Sequence, residues 1–99
     1  MTAEQILRAA AKYIRRHGWR QEEYGADGGP RCMAGAVRSV VGLEPDLPDT
    51  DEYEGLMSIL EKVAGPNIAD FNDVYCRTAD DAIAALEIAA DLAAPEWKP

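Results

Sequence analysis

The sequence predicts an all-α fold: a small single-domain bundle of four main helices, with a glycine-rich loop and an acidic loop between them. Three observations predict it. Four segments carry apolar residues at the three-and-four spacing of an amphipathic helix. Each is bounded by a capping residue, a glycine or a proline in the position where such residues start or stop a helix. No period-2 stretch of any length, the mark of a half-buried strand, interrupts them. The chain has 99 residues, enough for one modest core without metal or disulfide staples.

The first helix is expected over residues 3–17. Thr2 and Gln5 have the spacing of a capping box, Ile6, Ala10, Tyr13, Ile14 and His17 form one face, and Arg8, Lys12, Arg15 and Arg16 occupy the other. Arg15, Arg16 and His17 complement the C-terminal dipole, and Gly18 suits the residue that ends the helix. Residues 19–31 contain Gly25, Gly28, Gly29 and Pro30 and read as a loop. A second helix follows from about 32 to 41, with Met33, Ala36, Val37, Val40 and Val41 apolar and Gly42 as its stop. Its β-branched end also suits a strand, but Ala34-Gly35-Ala36 and the spacing of four favour a helix. Residues 43–50, with Pro45, Pro48 and alternating acids, form the acidic loop.

The third helix is expected at 52–64, opened by the cap-plus-glutamate spacing of Asp51 and Glu54 and closed by Gly65-Pro66. Tyr53, Leu56, Met57, Leu60 and Val63 form its apolar stripe. One short turn is expected around 68–72, and Thr78 opens a last helix at 79–94, closed by Pro95. In that helix Ala82, Ala85, Ala89, Ala90 and Ala93 permit close approach while Ile83, Leu86, Ile88 and Leu92 supply bulk. The wide apolar arc predicts a central position. Residues 95–99 form a short tail on a domain spanning 1–99.

Charge narrows the function classes. The formal net charge is −8, which opposes direct binding to nucleic-acid phosphates. No apolar run approaches the ~20 residues of a membrane span and no basic-then-apolar leader opens the chain, so a cytoplasmic domain with no membrane partner is expected. Cys32 and Cys76 lie in no C-x-x-C and the sole histidine is His17, so neither a disulfide scaffold nor a metal or cofactor is expected. Up to Leu43 the chain has seven basic and four acidic residues; from Glu44 onward it has three and fourteen. Attraction between the two halves within one fold is the simplest account of this asymmetry, which is also compatible with homo-oligomers.

Gly18-Trp19 at the end of the first helix, Cys32-Met33-Ala34-Gly35-Ala36 after the glycine-rich loop, Phe71-Asn72-Asp73, and Arg77-Thr78 before the alanine-rich helix form a set. It resembles a family of short uncharacterised actinobacterial and phage proteins, a domain of unknown function. That family's pattern runs Gly-Trp, Cys-Leu-x-Gly-Ala, Trp-Asn-Asp and Arg-Thr. The resemblance covers residues 6–93, with Met33 in place of the commoner Leu and Phe71 in place of the usual Trp, both preserving bulk. It implies a fold and a phage or actinobacterial setting, and carries no agreed activity.

Cys32 is the sharpest chemical candidate. In the first turn of a helix its thiolate would be stabilised by the dipole and unpaired N–H groups, and His17 with Asn72 or Asp73 would complete a cysteine–histidine set. The competing reading is a small buried residue, for which Cys32→Ala should be milder than Cys32→Ser because serine adds a hydroxyl to an apolar site. Asn72, Asp73, Arg77 and Thr78 suit a polar ligand or, better, turn fixing and capping. The acids Asp46, Asp49, Asp51 and Glu52 lack the glycine and terminal glutamate of a calcium loop. Trp19 and Phe71 are expected to seal the end of the bundle.

The expected function is a non-enzymatic interaction module, phage-encoded or phage-derived on the resemblance, that binds and modulates a host cellular protein. Its candidate contact residues are Trp19, Asp49, Asp51, Glu52 and Trp97. The alternatives are a cysteine-dependent hydrolase or transferase built on Cys32, His17 and Asp73, and an acidic modulator of a DNA-binding protein.

Overall fold

The computed structural model describes residues 1–26, 28–43 and 47–94. In chain order they form α1 (Ala3–His17), α2 (Met33–Val41), α3 (Asp51–Ala64), a single turn α4 (Ile68–Asp70) running into a π-helical turn (Phe71–Tyr75), and α5 (Ala79–Ala93). Among the described residues no strand forms; the ends of the glycine-rich loop meet in an isolated parallel bridge between Trp19 and Arg31. Trp97 and the tail, Asp27, and Glu44, Pro45 and Asp46 of the acidic loop lie outside the described residues.

α1 begins on its capping box: the Gln5 N–H donates to the Thr2 hydroxyl at 3.2 Å and the Thr2 N–H donates to the Gln5 side-chain oxygen at 2.8 Å. Its most extensive partner is α5. Ile6, Leu7, Ala10, Ala11 and Ile14 are buried on α1, and Ala82, Ala85, Leu86, Ala89 and Ala90 on α5, where the alanines let the axes approach. Arg8 reaches Asp91 at 2.7 Å and Arg15 reaches Glu87 at 3.1 Å. Since the partner number falls as the α1 number rises, the two helices run antiparallel. The basic stripe of α1 is therefore partly neutralised by the acidic half of the same chain. Ile88 and Leu92, expected to add bulk to the core, are exposed, because only one side of the wide arc of α5 faces α1 and α3.

Two helix starts differ from expectation. α3 is capped by Thr50, whose hydroxyl accepts from the Tyr53 N–H at 3.2 Å, and not by Asp51. Asp51, Glu52 and Glu54 thus fall in the first turn, where they oppose the positive end of the dipole. At α5 the Thr78 side chain makes no capping bond; the Asp81 carboxylate accepts from the Arg77 N–H at 2.9 Å instead. Asn67 caps α4 by accepting from the Asp70 N–H at 3.0 Å. The expected turn at 68–72 extends to Tyr75 because the Cys76 N–H bonds back to the Phe71 carbonyl at 2.9 Å, five residues earlier.

α2 carries a glycine in its interior for a reason of space. A Cβ on Gly35 would run into the Tyr24 carbonyl and lie 3.0 Å from the Tyr24 Cα, so the glycine-rich loop passes over bare helix backbone. Gly55, in α3, faces open space. Replacing a helical glycine with alanine ordinarily stabilises by about 0.5–1 kcal/mol. Gly55→Ala should follow that rule, whereas Gly35→Ala should lose about 1–3 kcal/mol through overpacking. Urea unfolding of the two single variants checks the opposite signs.

Candidate binding cleft

A buried amide organises the site. Asn72, on the π-helical turn, is 1% exposed. Its oxygen accepts from the Trp19 indole N–H at 2.8 Å and from the Met33 backbone N–H at 3.1 Å. Its nitrogen donates to the Arg20 carbonyl at 3.1 Å and to the Asp73 carboxylate at 2.9 Å. Two donors on one side and two acceptors on the other fix which way the amide faces. One side chain thereby ties the end of α1, the glycine-rich loop and the start of α2 to the α4–π segment. The turn sets both Asn72 and Cys76 inward, four residues apart.

Asp73 continues the tie. The oxygen that receives Asn72 also accepts from the Glu22 N–H at 2.8 Å, and the Gln21 amide donates to the Asp73 carbonyl at 2.8 Å. Glu22 has φ 74, left-handed backbone that is uncommon outside glycine. The far end of the loop is held by Tyr13, whose hydroxyl donates to the Gly29 carbonyl at 2.7 Å and accepts from the Gly28 N–H at 2.9 Å.

Between this pinned loop, the start of α2, α3 and the α4–π segment lies an open cleft of ≈ 580 Å³. That volume falls in the range of small-ligand and side-chain pockets. Ala34, Met57, Ile68 and Ala69 supply apolar surface, Tyr24 and Tyr53 aromatic surface, and Glu22, Glu23 and Asp73 carboxylates. The tyrosine end is set by Arg38, 1% exposed, whose guanidinium lies 4.8 Å from the centre of each tyrosine ring. Arg38 also donates to the Asp49 carboxylate and the Leu47 carbonyl, both at 2.9 Å. Burial pushes the Tyr53 phenol up, so it stays protonated throughout the physiological range.

Cys32 lines the cleft, but one residue earlier in the helix than expected. It is the N-cap of α2, and its sulfur accepts from the Gly35 N–H at 3.3 Å. Burial is the largest influence on the thiol and moves it above its ordinary value, against the lowering by the Gly35 and Ala34 N–H groups. Of the other members of the cysteine–histidine set, Asp73 shares the cleft with Cys32. His17 does not line it: its ring rests on Tyr13, with centroids 4.5 Å apart. Among the described residues no cluster of three or more His, Cys, Asp or Glu side chains could hold a metal ion, and no helix is long and apolar enough to cross a membrane.

The expected contact residues separate. Trp19 is half-buried and spends its N–H on Asn72, and Asp49 is engaged by Arg38. Asp51 and Glu52 are exposed and line a smaller groove with Met1, Ile6, Leu56 and Ile59. Trp97 lies outside the described residues. Sequence reasoning missed Glu22, Tyr24, Met57, Ile68 and Ala69 as neighbours in one cleft. It placed Asn72 in a local turn, whereas the side chain bonds across the molecule. The adjacent amide and carboxylate of Asn72-Asp73 were the available signal, since such a pair can present donors and acceptors together.

Fold and cleft together define a class: a small all-helical protein with a cleft, lined in part by carboxylates, between a glycine-rich loop and a π-helical turn. The chain belongs to a family of unknown function, DUF6197, whose model matches residues 1–92. No curated protein and no solved structure matches it.

Loss of the buried amide should be severe. Asn72→Ala strands the Trp19 and Met33 donors, each worth about 1–3 kcal/mol when left unmet, and chemical denaturation should show a loss of about 3 kcal/mol or more. Trp19→Phe, which keeps an aromatic ring but removes the N–H donor with the five-membered part of the indole, should lose roughly 1 kcal/mol or more.

The cap at Cys32 reverses the order expected for a merely buried residue. Serine is a preferred N-cap and alanine is not, so Cys32→Ser should remain within about 1 kcal/mol of the parent while Cys32→Ala loses about 0.5–2 kcal/mol. The raised thiols add a pH signature. Burial also pushes Cys76 up, to about 11. A thiol whose folded value is raised holds its proton more tightly folded than unfolded. Its contribution is complete below the unfolded value of about 8.5 and is lost as pH rises toward the folded value. Thermal melts should therefore decline from about pH 8.5 toward 11, and alkylation of Cys32 at pH 7.5 should be slower than that of a free cysteine.

Proposed function

We propose that this chain is a non-enzymatic interaction module, built on four main helices, that binds a segment of a cellular protein in the cleft between the glycine-rich loop and the α4–π segment. One observation carries the reading: a preformed cleft of ≈ 580 Å³ with an apolar and aromatic lining, whose walls are held by the buried Asn72 network. A wall fixed by four hydrogen bonds from one amide needs no ordering when a partner arrives, which favours binding. The thiol supports binding over catalysis. Cys32 caps a helix, its proton is held more firmly than usual, and His17 lies against Tyr13. A cysteine nucleophile needs the opposite: a lowered thiol with a base in reach.

Filling the cleft tests the proposal. Ala69 is exposed, lines the cleft and lies on the one-turn helix α4, so a larger side chain there occupies the space without entering the core. A photo-crosslinking residue at position 69 should join the protein to a specific partner in lysate of the source cell. Ala69→Trp should abolish capture of that same partner by the parent scaffold while leaving the melting temperature within a few degrees. Undiminished capture by Ala69→Trp would place the interface elsewhere and overturn the cleft reading.

A further inference from the structure

The charges around the cleft are not spread evenly, and their arrangement speaks to what enters it. Among the lining residues Tyr24 and Tyr53 are backed by the Arg38 guanidinium, 4.8 Å from each ring. Glu22 and Asp73 line the same cleft and are linked by the hydrogen bond from the Glu22 N–H to the Asp73 carboxylate. That link uses one carboxylate oxygen of Asp73, which also receives the Asn72 amide. Among the described residues the second Asp73 oxygen receives no hydrogen bond and the Glu22 carboxylate has no ion-pair partner, whereas Glu23 is held by Arg20 at 3.2 Å. Two unneutralised carboxylates thus line one cleft together with Met57, Ile68 and Ala69.

An occupant complementary to this surface has an apolar stem and a cationic head. Resting on the proposal that the cleft binds a protein segment, we infer that the segment enters it with a basic side chain, lysine or arginine. The methylene stem lies along Met57, Ile68 and Ala69, and the head meets Asp73 and Glu22. Long basic side chains combine these two properties, burying the stem while the charged end stays at the water boundary. A charge-assisted contact to the open Asp73 oxygen supplies direction. The chain's net charge of −8 favours the approach of a basic segment and disfavours an acidic one.

The test uses the full chain labelled with ¹⁵N and blocked pentapeptides of the form glycine-leucine-X-leucine-glycine, X being arginine, glutamine or glutamate. The arginine peptide should shift the amides of Tyr24, Ala34, Ala69 and Asp73, bind about five-fold or more tighter than the glutamine peptide and tighter still than the glutamate peptide, and weaken about three- to ten-fold between 0.05 and 0.5 M salt. Asp73→Asn keeps an oxygen for the Glu22 N–H while removing the charge. It should lower affinity for the arginine peptide about three- to ten-fold and leave the glutamine peptide unchanged; an equal loss for both peptides would mean that Asp73 only shapes the loop. Glutamine or glutamate peptides that bind the cleft as well as arginine would overturn the basic-side-chain inference and leave the interaction module standing. Butylguanidinium binding as tightly as the arginine peptide would replace the protein segment with a small cation. Absence of cleft shifts with all three peptides at millimolar concentration would overturn the inference, and the Ala69→Trp capture experiment then decides separately whether the cleft is an interface.

Discussion

A buried primary amide has two donors and two acceptor lone pairs to satisfy, and at Asn72 each side of the amide meets two partners, three of the four lying across the molecule. Removing any of the four contacting groups leaves part of the amide unmet, so the segments that supply them are coupled. They are the start of the glycine-rich loop at Trp19 and Arg20, the first residue of α2 at Met33, and Asp73 beside the amide itself. The core of α1 and α5 explains why the chain is compact, yet apolar contact is non-directional and would tolerate many positions of a loop. The amide is directional. It selects one placement of residues 19–24 and hence one shape for the cleft wall.

A second constraint acts on the other wall. Arg38 and Arg31 are buried at 1% and 2% exposure in a protein that is strongly acidic overall. Arg31 donates to the Gly35 carbonyl and the Ser39 hydroxyl, on α2 itself. Arg38 draws Tyr24 from the loop, Tyr53 from α3, and Asp49 and Leu47 from the acidic segment onto one guanidinium. A planar cation with five fixed donors and two faces suits this, since it can stack on two rings and bond at its edge at once. The excess acid of the second half of the chain is thus partly structural. Asp49, Glu87 and Asp91 are placed against arginines of the first half, and of the cleft carboxylates Glu23 pairs with Arg20 while Glu22 and Asp73 have no ion-pair partner among the described residues.

Cys32 shows how position within a helix changes the meaning of a residue. One position into a helix, a thiol meets the dipole and free N–H groups and is a candidate nucleophile. At the N-cap of α2, partly enclosed by the loop, it is an acceptor for one N–H and burial outweighs the dipole. The carboxylate that might have oriented a catalytic base is occupied at one oxygen in holding Glu22 in left-handed backbone. Both residues line the cleft and help to hold its wall.

Much of the architecture was legible because it rests on short-range physics. The capping box at Thr2 and Gln5, the glycine stops at Gly18, Gly42 and Gly65, and the 3.6-residue periodicity of α1, α2, α3 and α5 all act within a few residues along the chain. The charge asymmetry likewise foreshadowed pairing between the halves, because Coulomb attraction depends on composition before geometry. The cleft was not legible. Its lining comes from segments tens of residues apart, and nothing local to Asn72 tells whether its amide closes its own turn or reaches Trp19, 53 positions away. Nor does the sequence near Gly35 say that another backbone must lie against it. By itself, the sequence determined where the four longer helices lie, since each is decided by neighbours in the chain. Which polar side chains are buried, and which carboxylates are left open at the cleft, was decided only by tertiary packing, because a hydrogen bond depends on distances that exist only once the helices have met.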